Sequence, residues 1–73
     1  MEYNLSEMET ELAEIIWERE PLKSSELVDI CAEKFDWKKS TTYTMIKRIE
    51  NKGVIINEDG IVKSTISRKD FYA

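Results

Sequence analysis

The sequence predicts a mainly helical fold that closes with a small β-hairpin. Through the first 52 residues, apolar side chains recur three and four positions apart, which is the spacing of amphipathic helices. After Gly53 the pattern changes to two β-branched runs, residues 54–57 and 61–66, which flank an Asp59-Gly60 pair. An Asp-Gly pair between such runs is a strong hairpin signal. The chain of 73 residues is therefore predicted to fold as one domain of three helices and a hairpin.

The first helix is predicted over residues 6–20. Ser6 and Glu9 have the spacing of a capping box, in which each side chain accepts a hydrogen bond from the backbone N–H of the other residue. Pro21 ends the helix because its ring cannot continue the hydrogen-bond pattern. The positions at helical spacing that are expected to face the core are Met8, Leu12, Ile15 and Ile16.

The second helix is predicted over residues 24–34, with Ser24 as its N-cap. Before it, Leu22 and Lys23 form a short extended link to the first helix. Cys31 lies among the apolar positions of the second helix. We interpret it as a small core residue, because no basic neighbour in the sequence would activate its thiol.

The third helix is predicted over residues 39–52, and Gly53 then stands where a C′ glycine would. Three helices followed by a hairpin are the organisation of a winged helix-turn-helix. Residues 54–66 form its two- or three-stranded antiparallel wing, which must pack on the helices to be stable. The last six residues either begin another helix or fray. The inward positions of the third helix are expected to be Thr42, Met45, Ile46 and Ile49.

The composition disfavours several classes of function. One cysteine and no histidine remove any internal disulfide, the usual zinc ligands and the commonest general base. We therefore expect a single domain over residues 1–73 that is not an enzyme and holds no metal or cofactor. No apolar run approaches the roughly 18 residues of a membrane span, and the acidic N-terminus does not resemble a signal peptide. The expected location is the cytoplasm, with no membrane partner.

The net charge of −4 hides an uneven distribution along the chain. Residues 1–36 sum to −8, whereas residues 37–73 sum to +4. Such a split gives one face that attracts phosphate and another that repels it. Two solvated helix faces would give the same sums, so charge alone does not decide between nucleic-acid binding and an unspecialised surface.

Three stretches of the chain resemble the penicillinase-repressor family, which includes the β-lactamase, methicillin-resistance and copper-transport repressors. They are LSEMETELAEIIW at residues 5–17, SSEL at residues 24–27, and WKKSTTYTMIKRIENKG at residues 37–53. The resemblance implies the N-terminal winged-helix domain of a transcriptional repressor. It also implies a homodimer on double-stranded operator DNA, formed through a C-terminal segment that would begin near Ala73. The chain is then either a DNA-binding domain without that segment or a naturally short relative.

The predicted DNA-contacting surface lies on the third helix and one residue of the wing. In a helix-turn-helix, the N-terminal part of the recognition helix enters the major groove. Serine and threonine hydroxyls and the arginine guanidinium contact base edges there, and lysines contact phosphates. The acidic wing tip, Glu58 and Asp59, would approach phosphate poorly, which leaves Lys63 as the wing contact. The predicted contact residues are Lys38, Lys39, Ser40, Thr41, Tyr43, Thr44, Lys47, Arg48 and Lys63.

Two alternatives follow from the same residues. Arg48 can pair with an acid of the first or second helix instead of with DNA. The whole domain can also be a winged-helix protein–protein interaction module that binds no DNA, which the acidic first helix and the negative net charge favour. A continuous positive surface over residues 38–48 and Lys63 would favour DNA.

Overall fold

The computed structural model describes residues 4–73 and consists of helices with a small antiparallel sheet. The three strands pair in the order β1-β3-β2. This confirms the predicted fold class, a mainly helical winged helix-turn-helix. Residues 1–3, which the predicted domain includes, lie outside the described residues. The elements in chain order are α1 (Glu7–Arg19), β1 (Leu22–Lys23), α2 (Ser24–Phe35), α3 (Lys39–Asn51), β2 (Ile55–Glu58), β3 (Ile61–Ser64) and α4 (Arg68–Phe71).

The wing is a hairpin whose turn has the backbone conformation that an Asp-Gly pair favours. Asp59 and Gly60 both have positive φ, 53° and 80°, as the two central residues of a type I′ turn require. The turn leaves β2 and β3 paired along their full lengths. On the other edge of β3, Leu22 pairs with Val62. The predicted extended link between the first two helices is therefore the third strand of the wing.

The helices and the wing share one apolar core. Cys31 belongs to this core and is fully buried, and burial raises the pKa of its thiol. The core holds α1, α2 and α3 together and fixes which side of each helix faces solvent. Its largest fully buried side chains include Leu12, Ile16, Leu27, Ile46, Ile49, Ile55, Val54 and Val62.

The first helix begins with the predicted capping box. The backbone N–H of Glu9 donates to Ser6 Oγ at 3.2 Å, and the Ser6 N–H donates to Glu9 Oε1 at 2.8 Å. The prediction that Met8 faces the core is wrong, because its side chain is 38% exposed. Glu9 takes the buried position in this first turn of α1. A carboxylate with polar contacts therefore occupies the inward position of this turn, while Leu5, just before the helix, packs against the core.

Glu9 also joins α1 to the end of α3. The Nζ atom of Lys52 lies 2.7 Å from Glu9 Oε1 and donates to the carbonyl of Asn4 at 2.9 Å. Burial by itself raises the pKa of Glu9. The hydrogen bonds from Lys52 and Ser6, with the positive charge of Lys52, outweigh burial and hold the pKa below its ordinary value of 4.5. The enclosed carboxylate is therefore ionised and paired in the folded protein.

We expect this pair to make folding stability depend on acidity. A carboxyl group whose pKa is lower in the folded than in the unfolded chain adds stability above the unfolded value and loses it as the pH falls. The contribution of Glu9 should be complete above about pH 5 and disappear as the pH falls through its folded-state pKa. Urea unfolding at pH 6, 4 and 3 should show a steeper loss in the wild type than in Glu9→Gln, whose side chain does not titrate. Identical pH profiles for the two proteins would contradict this expectation.

The second helix begins differently from the prediction. Ser24 was expected to be the N-cap, but it is the first helical residue, and Lys23 is the N-cap. The prediction is wrong because Lys23 is already extended as part of β1, and its N–H donates to the carboxylate of Glu26 at 3.1 Å. The Ser24 N–H donates to the carbonyl of Gly60 at 2.8 Å. The turn of the wing is thereby attached to the start of α2.

The C-terminal residues form a short helix that packs on α1 rather than fraying. Trp17 Nε1 donates to the carbonyl of Ile66 at 2.9 Å, and its ring centroid lies 5.2 Å from that of Phe71. Glu14 accepts hydrogen bonds from Arg68 at 2.8 Å and from Tyr72 at 2.6 Å. These contacts use the side of α1 that carries Glu14 and Trp17, so α3 is left uncovered by α4.

Candidate nucleic-acid interface

The orientation of α3 follows from its apolar side. Thr42, Met45, Ile46 and Ile49 are buried, as the helical spacing predicts. Because an α-helix turns by about 100° per residue, Ser40, Thr44 and Lys47 lie on the opposite side and are exposed. The core therefore presents the polar side of α3 to solvent along its length.

All nine predicted contact residues are exposed. Lys38 stands immediately before α3 as its N-cap, but its side chain makes no capping hydrogen bond. Seven contact residues lie on α3 itself, namely Lys39, Ser40, Thr41, Tyr43, Thr44, Lys47 and Arg48, and Lys63 lies on β3.

Two surface hollows flank the exposed side of α3, and together they are lined by six of the nine predicted residues. One hollow is formed by α3 alone, and the other lies between α3 and β2 of the wing. The first is lined by Ser40, Thr41, Thr44, Met45 and Arg48. The second is lined by Tyr43, Ile46, Lys47, Glu50 and Asn57.

The charge on the exposed side of α3 is positive. The only acidic residue of this helix, Glu50, is half-buried, and its carboxylate accepts the backbone N–H of Asn57 at 3.3 Å. That contact directs the negative charge of Glu50 toward β2. The exposed cations on and next to α3 therefore lie in a region where no exposed carboxylate of the same helix opposes them. These cations are Lys38, Lys39, Lys47 and Arg48.

Arg48 makes none of the carboxylate contacts that the alternative interpretation requires. Within residues 4–73, the ion pairs are Lys52 with Glu9, Lys63 with Glu58, and Arg68 with Glu14. The polar contact of the Arg48 side chain is from its Nη1 to the thioether of Met45, at 4.0 Å. The guanidinium thus lies beside the first hollow with its hydrogen-bond donors available.

Lys63 is placed less favourably than the cations of α3. Its Nζ lies 3.8 Å from a carboxylate oxygen of Glu58 on the neighbouring strand, and both side chains are exposed. Surface pairs of this kind contribute little to stability and exchange partners easily. Lys63 therefore remains available to a phosphate, although Glu58 reduces the local positive potential.

Tyr43 connects α3 to the start of α2, a contact that the sequence interpretation missed. Its hydroxyl lies 3.4 Å from Ser24 Oγ, and the Nζ of Lys39 lies 5.9 Å from the centroid of its ring. Lys23 and Ser25 are exposed at the same helix start and were not included among the predicted contacts. The contact between Ser24 and Tyr43 was not predictable from the sequence, because it depends on how α2 packs against α3.

Neither a cluster of metal-binding side chains nor a membrane-spanning helix occurs among the described residues. Within residues 4–73, no three His, Cys, Asp or Glu side chains are grouped as a metal site would require. In the same part of the chain, none of the helices combines the length and apolar character needed to cross a bilayer.

Comparison with known proteins identifies one family. The family model described as penicillinase repressor matches residues 5–70 of this chain. No curated protein matches this chain. Members of the matched family are regulatory DNA-binding proteins rather than enzymes. The match confirms the resemblance noted in the sequence.

Proposed function

We propose that this chain, which belongs to the penicillinase repressor family, binds double-stranded operator DNA in a sequence-specific manner and represses transcription. In this proposal α3 lies in the major groove as the recognition helix. The observation that carries it is the exposed side of α3, which combines hydroxyl side chains with cations and, throughout Lys39–Asn51, has no exposed carboxylate.

The dimensions and chemistry of B-DNA suit this surface. The major groove is wide enough to admit an α-helix, and its base edges offer hydrogen-bond acceptors, donors and the thymine methyl. Ser40 and Thr41, in the first turn of α3, are assigned to base edges or nearby phosphates, and Arg48 to a guanine or a phosphate. Phosphate contacts are assigned to Lys38, Lys39, Lys47 and Lys63, with Tyr43 at the sugar–phosphate backbone.

A single copy contacts only one half-site. Helix-turn-helix proteins commonly bind two half-sites that are related by the two-fold symmetry of a dimer. Linking the two binding events raises the overall affinity without any new type of contact. We therefore extend the proposal to a homodimer on the operator.

A protein-binding role is the second candidate, and the outer side of α1 favours it. Glu7, Glu11 and Glu18 are exposed there and would repel a phosphate backbone. The two roles use different surfaces, so measurements that map the bound face distinguish them.

We expect the affinity for DNA to fall steeply with added salt. With four lysines at phosphates, a plot of the log of the association constant against the log of the salt concentration should have a slope of about −4. The affinity should then fall roughly 100-fold between 50 and 200 mM salt. Fluorescence anisotropy with a duplex selected from a randomised pool measures this slope directly. A salt-independent affinity would contradict the assignment of these lysines.

Backbone amide shifts of the isotope-labelled chain would map the bound face. Titration with the selected duplex should shift residues 38–48 and 61–64, and an unrelated duplex should compete poorly. If no duplex is enriched from the pool and the folded chain shows no shifts at low salt, the proposal is wrong. Shifts confined to the outer side of α1 upon addition of a protein partner would favour the second candidate.

A further inference from the structure

Thr44 occupies the middle of the exposed side of α3. The buried residues Thr42, Met45, Ile46 and Ile49 define the opposite direction, and at about 100° per residue Thr44 points almost directly away from them. A helix that enters the major groove along this side brings Thr44, together with Ser40 one turn earlier, toward the base edges. The chemistry that its side chain offers therefore bears on sequence specificity.

The hydroxyl group of Thr44 is used inside the helix. Its Oγ1 donates to the carbonyl of Ser40, one turn earlier, at 2.9 Å. A threonine in a helix commonly adopts this arrangement because its Oγ1 reaches the carbonyl of residue i−4. The donor of Thr44 is therefore already occupied, so its exposed side chain offers a ligand its methyl group and the acceptor side of its oxygen.

Thr41 provides a contrast on the same helix. Its side chain is exposed, and within residues 4–73 its hydroxyl makes no hydrogen bond. Thr41 can therefore donate to a base or a phosphate. The two residues have the same side chain, but only Thr41 has a free hydroxyl donor to offer a ligand.

The surroundings of Thr44 are partly apolar. It lines the first hollow, which has a volume of about 220 Å³, together with the thioether side chain of Met45. This space accommodates a methyl group. In the major groove the only apolar group on a base edge is the 5-methyl of thymine.

We infer that Thr44 is a specificity-determining residue that contacts the 5-methyl group of a thymine in the operator. The inference rests on the proposed function, since it requires α3 to lie in the major groove. The inference predicts that one position of the half-site is an A·T pair whose thymine methyl faces Thr44. Deoxyuridine, which pairs like thymidine but lacks the methyl, is the matched probe for this contact.

The test uses the duplex selected from the randomised pool, with each thymidine replaced in turn by deoxyuridine. At one position per half-site, the replacement should weaken wild-type binding about fourfold, the change expected for one buried methyl group. Thr44→Val, which keeps a methyl and loses the hydroxyl, should bind with wild-type affinity and show the same sensitivity. Thr44→Ser, which keeps the hydroxyl and loses the methyl, should bind more weakly and be insensitive at that position.

Three results would overturn the inference. Wild-type affinity that is unchanged by every deoxyuridine replacement would exclude a methyl contact. Sensitivity that persists in Thr44→Ser would assign the contact to another residue. Weakened binding by Thr44→Val, with its fold verified by circular dichroism, would show that the hydroxyl makes the contact as an acceptor. Each of these occurs with DNA binding intact, whereas a folded chain that binds no DNA would overturn the proposed function as well.

Discussion

Replacing Arg48 with alanine is expected to weaken DNA binding by about ten- to a hundredfold, as for the loss of one forked contact to a guanine. The guanidinium of Arg48 is exposed and pairs with none of the carboxylates within residues 4–73. Its removal therefore costs the folded protein little. Anisotropy titration of the selected duplex measures the affinity, and urea unfolding measures the stability.

The pattern across DNA sequences identifies what Arg48 contacts. If it contacts a guanine, Arg48→Ala should lose affinity for the selected duplex and discriminate less at one base pair. If it contacts a phosphate, the loss should be similar for all duplexes and the salt slope should become shallower by about one.

Arg19→Ala is the matched control for this variant. It removes the same charge from an exposed position at the end of α1, outside the predicted contact surface. Its affinity should stay close to that of the wild type. If Arg19→Ala weakens binding as much as Arg48→Ala, the effect comes from overall charge, and Arg48 has no specific contact.

Replacing Lys52 with methionine is expected to lower the free energy of unfolding by about 2 kcal/mol, because it leaves a buried carboxylate without its cation. The Glu9 side chain is 4% exposed and its oxygen lies 2.7 Å from Lys52 Nζ. Methionine retains much of the unbranched side chain, so the change isolates the loss of the charged contacts. In a chain of this size, such a loss lowers the melting temperature by roughly 10 °C.

Lys47→Met provides the control within α3, whose C-cap is Lys52. Lys47 is exposed, and within residues 4–73 its side chain forms neither a hydrogen bond nor an ion pair. Its replacement should change stability by less than about 0.5 kcal/mol while weakening DNA binding. The double variant Glu9→Gln with Lys52→Met should lose less stability than the sum of the single variants, since both remove the same interaction. Additive losses would show that the two residues act separately.

The side of α3 that faces solvent was predictable from the sequence. Residues 42, 45, 46 and 49 repeat at helical spacing, and this local periodicity determines which residues remain outside. The hairpin was predictable for a similar reason, because Asp59 and Gly60 favour a turn conformation through their own backbone preferences.

The exposure of Met8 could not be predicted from local periodicity. It falls on the same helical stripe as Leu12 and Ile15, and nothing in its neighbourhood marks it as exposed. Whether an apolar position in the first turn of a helix is covered depends on the elements that pack there. At the start of α1, the exposed Lys52 reaches Glu9, and Glu9 takes the buried position.

The start of α2 shows the same limit. Serine is a good N-cap when only the local sequence is considered. In the folded chain, however, the Ser24 N–H donates to the carbonyl of Gly60 in the wing, and Ser24 Oγ lies beside the Tyr43 hydroxyl. These partners are 36 and 19 positions away in the chain. Patterns of three or four residues carry no information about such distances.

The local sequence thus determines the fold class, the polar side of α3 and the residue types available for DNA. The tertiary structure decides three further features: the attachment of the wing to α2, the Glu9–Lys52 pair, and the availability of the Arg48 guanidinium. Helix periodicity and turn preference act over a few residues, so they are visible in the sequence. Ion pairs and hydrogen bonds between elements depend on packing geometry, which exists only once the core has formed.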